Sequence, residues 1–259
     1  MNSSFSVFIL PEYLVFSSLL QQTEMSIHYR IEDVFQRLME HYGPQGWWPI
    51  VLTEDGKSTR RSAGGYHAGD YTYPHNDIQR LEICLGAILT QNTNWNNVVT
   101  ALKNLKSSGS FSFAKLVTIE ENDLARQIKS AGYYNQKAGY IKNFIRYLKQ
   151  NPFSHEKHQE TSILRKNLLQ IRGLGPETVD CILLYAFNRY SFVVDAYTQR
   201  ILGKLRIIEN NTKYEFVKER FESSLPKDLF IYQEYHALLV EHGKRYYSRK
   251  PYGEGDPLF

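Results

Sequence analysis

Two stretches hold the residues best suited to chemistry. The first is Leu169-Gln170-Ile171-Arg172-Gly173-Leu174-Gly175-Pro176-Glu177-Thr178-Val179-Asp180, and the second is Phe192-Val193-Val194-Asp195-Ala196-Tyr197-Thr198. Gly173 and Gly175 permit a tight turn with positive φ, where backbone can approach another molecule closely. Pro176 suits a first helical position because its missing N–H has no partner to lose there. The free amides of the turn and of that helix start make an anion site fitted to a phosphate. Asp195 ends a β-branched run and can cap the next helix. Each part alone also reads as plain architecture, a link between core helices and a cap. The pairing of hairpin, second helix and downstream carboxylate is what points to a site.

The elements that must position these groups are helical. Residues 163–169 form a helix before the glycine turn, and Val179, Ile182, Leu183 and Ala186 recur at helical spacing after it, so 162–187 reads as helix, hairpin, helix. Upstream, Ile31, Val34, Phe35, Leu38, Met39 and Tyr42 form one stripe, and Asn76-Asp77 can cap a helix bearing Ile78, Leu81, Leu85 and Ile88. That helix runs into Leu89-Thr90-Gln91-Asn92-Thr93, a polar turn before Trp95 and a helix through Val98, Ala101, Leu102 and Leu105. Residues 119–128 give another helix, and Gly132-Tyr133-Tyr134-Asn135-Gln136-Lys137-Ala138 heads one through Leu148. Trp47-Trp48-Pro49 precedes a polar stretch at 54–73 that reads as a loop. Adjacent side chains point different ways, so the two Trp suggest one wall of a flat pocket. No repeat or low-complexity tract interrupts this pattern.

Composition narrows the classes. With 42% hydrophobic residues the chain can bury a full core, while a net charge of +4 and pI of 8.8 are compatible with a polyanion without requiring one. The apolar run from Phe5 to Leu20 lacks a basic start and is broken by Pro11-Glu12, so we expect neither a targeting segment nor a membrane span. The folded domain is expected to begin at about Met25, with residues 1–25 a non-core or disordered extension. Cys84 and Cys181 lie in apolar helical pattern and read as buried thiols of a reducing, cytoplasmic compartment. No Cys/His grouping has zinc spacing, and no metal is expected.

Taken together and in order, these motifs resemble those of the helix-hairpin-helix DNA glycosylases, the endonuclease III superfamily, over residues 31–258. The nearest branch is the small 3-methyladenine DNA glycosylases. The resemblance implies an all-α fold of two lobes with the active site in the cleft between them. One lobe would comprise 26–87 and 205–259, and the other, a helical barrel at 88–204, would carry the hairpin. It implies further that Asp195 is the catalytic carboxylate, that Trp47, Trp48, Pro49, Trp95, Glu177 and Lys244 form the base pocket, and that Gln91, Arg172, Gly173, Leu174, Gly175 and Thr178 meet DNA. Gln91 would fill the gap left by a flipped nucleotide. Glu177 stands where bifunctional relatives have a lysine, so hydrolysis without strand cleavage is expected.

Many relatives hold a four-iron cluster in Cys-x6-Cys-x2-Cys-x5-Cys; here those places hold Tyr246, Gly253 and Asp256, and the chain stops at Phe259, so no iron–sulfur cluster is expected. Lys244, in Glu241-His242-Gly243-Lys244, is expected near Glu177, either as an ammonium ion-paired with it or as a carbamate. The implied function is a monofunctional alkylpurine DNA glycosylase, a monomer acting on damaged double-stranded DNA. The alternatives are an endonuclease III-type abasic-site lyase and a non-catalytic damaged-DNA-binding module, the latter disfavoured by a carboxylate placed beside anionic DNA.

Overall fold

A computed structural model describes residues 29–52, 65–156, 158–209 and 211–259. The expected extension at 1–25 and most of the polar loop after Leu52 lie outside the described residues. The described chain is helical throughout, without a strand, and none of its helices is long and apolar enough to cross a membrane.

Helix α1 (Ile31–Tyr42) buries Ile31, Val34 and Leu38, the predicted stripe. Helix α2 (Asp77–Leu89) begins where expected, with Asn76 Oδ1 accepting from the amides of Ile78 and Gln79. Its residues from Arg80 to Leu89 are all buried, so it is the central rod rather than a one-faced surface helix. Then come α3 (Trp95–Ser107), α4 (Phe113–Thr118), α5 (Glu121–Gln127), α6 (Tyr134–Gln150), the single turn α7 (Phe153–Glu156) and α8 (Thr161–Leu169). After the hairpin, α9 (Pro176–Cys181) continues directly into a π-helical turn, Ile182–Ala186. Helices α10 (Ala196–Lys204), α11 (Tyr214–Ser224) and α12 (Leu229–Tyr246) complete the order.

The first and last described helices are joined. Tyr235 on α12 donates to the Ile31 carbonyl at 2.6 Å, and Tyr42 on α1 bonds His242 on α12 at 2.9 Å. Helix α10 fits closely against α12 because Gly243 has no side chain; a Cβ there would lie 2.4 Å from Tyr197 Cβ. The segment after α12 turns back on this pair. Asp256 accepts from His242 Nε2 at 2.9 Å, Tyr247 Oη at 2.8 Å and the Leu258 amide at 2.9 Å.

The motif at the head of α6 has a structural role that its sequence did not disclose. Lys137 is 2% exposed, and its Nζ donates to the Leu89 carbonyl at 2.8 Å and the Ala131 carbonyl at 2.7 Å. It therefore closes the C-terminus of α2 and fixes the turn that carries Gln91. Burial pushes this amine down to about 8. A lysine whose pKa is lower in the folded than in the unfolded state carries fewer protons when folded, so its burial penalty fades and stability rises with pH between about 8 and 10.5. Lys137→Met should remove that rise from a series of melting temperatures across the window; an unchanged slope would show that Lys137 does not titrate there.

Candidate active site

Asp195 is set by a chain of buried polar contacts. The extended residues Phe192, Val193 and Val194 are at most 1% exposed, and Glu222 accepts the Phe192 amide at 2.8 Å. Behind them Asp180, fully buried on α9, takes a two-point contact from Arg165 at 2.8 and 3.0 Å. It also accepts from Ser191 Oγ at 2.6 Å and Tyr214 Oη at 2.8 Å, with Lys218 Nζ 3.6 Å away. The hairpin's second helix is thus tied to the run that ends in Asp195. Asp195 caps α10 as predicted: one oxygen, Oδ1, accepts from the Thr198 amide and hydroxyl, both at 2.7 Å. Its other oxygen has no protein donor among the described residues, and the side chain is half-buried, so a fixed carboxylate keeps one oxygen free for a reacting partner.

In the hairpin the two glycines differ. Gly173 has φ +103°, and a Cβ on it would lie 2.1 Å from the Tyr140 ring. Gly175 has φ −87° as the residue before α9, with open space around its missing Cβ, so the expectation of positive φ holds for Gly173 alone. Gly173→Ala should therefore destabilise the free protein by ~2–4 kcal/mol through backbone strain and the ring clash. Gly175→Ala should leave the melting temperature unchanged and weaken only DNA binding, where backbone approach matters; equal melting curves for both variants would contradict this.

Gln91 Nε2 donates to the Gly173 carbonyl and to Thr178 Oγ1, both at 3.0 Å, and Asn143 donates to the Arg172 carbonyl at 3.1 Å. The Thr-Gln-Asn-Thr turn and the hairpin are therefore one surface. Arg172 is exposed on it, whereas Leu174 (5%) and Thr178 (7%) are buried. These last two thus brace the hairpin from within and do not form the DNA-facing surface expected of them, because Leu174 fills core and the Thr178 hydroxyl is taken by Gln91.

The paired tryptophans also separate. Trp47 is half-buried, but Trp48 is 4% exposed and Pro49 is buried, so both of the latter belong to the core rather than to a pocket wall. Trp48 packs over Gly86, where a Cβ would sit 3.1 Å from its Nε1, and meets Tyr185 at 5.3 Å and the half-buried Trp95 edge-on at 5.4 Å. Sequence adjacency showed that the two rings must diverge, but not which one enters the core; the missing side chain at Gly86 decides it. The loop is held by Glu234, fully buried on α12, which accepts from the amides of Gln45 (2.6 Å) and Gly46 (2.8 Å) and from Tyr71 Oη (2.9 Å). Glu234, Tyr185 and His236 were not foreseen as site residues.

Glu177 and Lys244 do not form the expected buried ion pair. Both side chains are solvent-exposed, no ion pair joins them among the described residues, and Lys244 Nζ lies 5.3 Å from the centre of the Trp47 ring. A solvated ammonium needs no buried counterion, and the ring face supplies modest attraction. Water reaches Glu177, yet protein crowds its carboxyl. That partial burial, and then the charge of Asp195, push its carboxyl up to about 7. Asp195's field is also felt at Cys181, Tyr185 and His236. Trp47 thus meets both His236 and Lys244, and the charge of Asp195 reaches both His236 and Glu177, the latter on the helix that follows the hairpin.

Residues 85–227 match the model of the HhH-GPD superfamily of base excision DNA repair proteins, and the chain belongs to that superfamily as a DNA glycosylase. A Methanocaldococcus jannaschii protein named as a DNA repair glycosylase is 40% identical over 232 residues, which cover 88% of this chain and 93% of that one. Endonuclease III of Sulfolobus acidocaldarius is 28% identical over 64% of this chain and 74% of its own. Among solved structures, H. pylori 3-methyladenine DNA glycosylase bound to 1,N6-ethenoadenine is 31% identical with a TM-score of 0.57, over 63% of this chain and 84% of that one. Endonuclease III trapped on DNA has a TM-score of 0.65 over 89% and 94% of the two chains at 15% identity, a likeness of fold.

Proposed function

We propose that the protein is a monofunctional glycosylase that hydrolyses the N-glycosidic bond of alkylated purines in DNA. The observation that carries this reading is Asp195, a carboxylate fixed through one oxygen and without a protein donor at the other among the described residues, together with a glutamate in place of a lysine nucleophile at position 177. The bond to the base breaks with its electron pair leaving on the purine, and positive charge develops on the sugar, where the free oxygen of Asp195 stabilises it. Water adds at C1′, passes its proton to solvent and leaves an abasic site, the cationic purine having departed as a neutral base. An alkylated purine is already cationic and leaves readily, so a pocket with little acid catalysis suffices. The half-buried Trp47 gives the purine a ring edge or face to pack against.

A Schiff-base lyase needs a desolvated, reachable amine. Lys137 has the lowered pKa, but its protons are held by two carbonyls under full burial; Lys244 is exposed. Neither is arranged as a nucleophile. An unmodified Lys244 ammonium over Trp47 is the state this reading adopts.

An iron–sulfur cluster of the kind many relatives carry does not fit the residues present. Four thiolates are required, and the chain has two cysteines, Cys84 and Cys181, buried in helices α2 and α9. Asp256, at one of the ligand positions, is engaged with His242 and Tyr247, which tie the segment to α12. We infer that this polar clasp does the fastening there, and that the protein acts as a monomer on double-stranded DNA.

The test is incubation of the purified protein with methylated DNA and chromatography of what is released. Free 3-methyladenine with intact strands is expected. Strand breaks, or tight binding with no release, would replace this reading with a lyase or a binding module.

A further inference from the structure

The hydrolysis outlined above leaves His236 unused. Its ring is 3% exposed and meets Trp47 edge-on at 5.8 Å. Nδ1 lies 2.7 Å from Tyr185 Oη, and the same hydroxyl lies 3.1 Å from the Gln233 carbonyl. A hydroxyl has one proton, so only one assignment makes both contacts hydrogen bonds: Nδ1–H donates to Tyr185, and Tyr185 donates to the Gln233 carbonyl. That tautomer leaves a lone pair on Nε2. Among the described residues no protein group bonds Nε2, and it is not among the buried unpartnered atoms, so a small part of it is accessible. The charged groups around the ring are Asp195 at the start of α10 and Lys244 on its own helix. Burial pushes the ring down to about 4, against the pull of Asp195 and with the help of Lys244, so the lone pair persists at neutral pH.

We infer that His236 Nε2 is a fixed hydrogen-bond acceptor at the floor of the base pocket, and that it selects purines presenting an amino group there. The inference deepens the alkylpurine reading and rests on it. An amino group on a cationic purine is a strengthened donor, and a neutral imidazole receives it without repelling the cation. A purine with a carbonyl at that place would set lone pair against lone pair, and one with only C–H would leave Nε2 unpaired. The relay to Tyr185 holds the ring in the accepting tautomer.

The test uses two free bases that differ only in the amino group, 3-methyladenine and 3-methylpurine, titrated against the full chain by tryptophan fluorescence. Wild type should bind the amino base about tenfold more tightly. His236→Phe, which keeps bulk but removes the lone pair, should bind both alike, and His236→Gln, whose amide oxygen can accept, should recover part of the preference. Tyr185→Phe frees the tautomer and should lower the ratio severalfold, which decides the matter if His236→Phe fails to fold. A purely structural role would change stability but not this ratio. An unchanged ratio in His236→Phe, or in Tyr185→Phe if that variant alone folds, overturns the inference while base release from methylated DNA by wild type leaves the function standing. Absence of both release and quenching in wild type would sink the function and the inference together.

Discussion

Asp195→Asn should lower release of an alkylated purine roughly a thousandfold while leaving DNA binding intact or tighter. The choice of Asn matters because Asp195 has two jobs. Its Oδ1 caps α10 through the Thr198 amide and hydroxyl, and an Asn oxygen can still accept both. Only the charge is lost, and with it the stabilisation of positive charge on the sugar. Asp195→Ala would remove the cap as well, costing ~1 kcal/mol of stability and confounding the comparison. Melting curves should therefore superimpose for wild type and Asp195→Asn while single-turnover base release separates them. Undiminished release would take Asp195 out of the chemistry.

The second large effect is expected at Asp180→Ala. Asp180 is fully buried, and its loss would strand Arg165, which is 19% exposed, and Lys218, which is 8% exposed. Both cations keep a second carboxylate, Glu215 and Glu222 respectively, so the penalty belongs at the low end for a broken buried pair, about 3 kcal/mol. For a chain of this size that corresponds to a fall in Tm of roughly 10 °C. The Ser191 and Tyr214 hydroxyls would lose their acceptor too, freeing the run that delivers Asp195, so activity should fall further than stability alone explains. A loss under about 1 kcal/mol would show that Asp180 is not the hub described here.

What could be read from the sequence was what local rules determine. Helical stripes, the Asn76 cap, the proline at the start of α9 and the Asp195 cap each follow from a few neighbouring residues. The resemblance implied that Gln91 and the hairpin share a DNA-facing surface, and the structure joins them by hydrogen bonds from Gln91 to Gly173 and Thr178. What stayed hidden depends on partners far along the chain. Glu234 holds the tryptophan loop across nearly the whole sequence, and nothing near residue 234 signals it. Tyr185 looked like one more residue in an apolar helix; the π-helical turn at Ile182–Ala186, which periodicity does not reveal, accompanies its contact with Trp48. The Glu177–Lys244 pair failed for a related reason, since the family resemblance implied nearness but not burial, and two exposed charges have no need of each other.

The central claim is hydrolysis directed by Asp195 without a covalent enzyme intermediate. Incubating the protein with methylated duplex DNA in the presence of borohydride tests it most directly, because reduction would lock any Schiff base between a lysine and the abasic sugar. The expected result is free alkylated purine, intact strands and no protein–DNA adduct on a denaturing gel. A borohydride-dependent adduct formed by wild type, whether through Lys244 or another lysine, would contradict it.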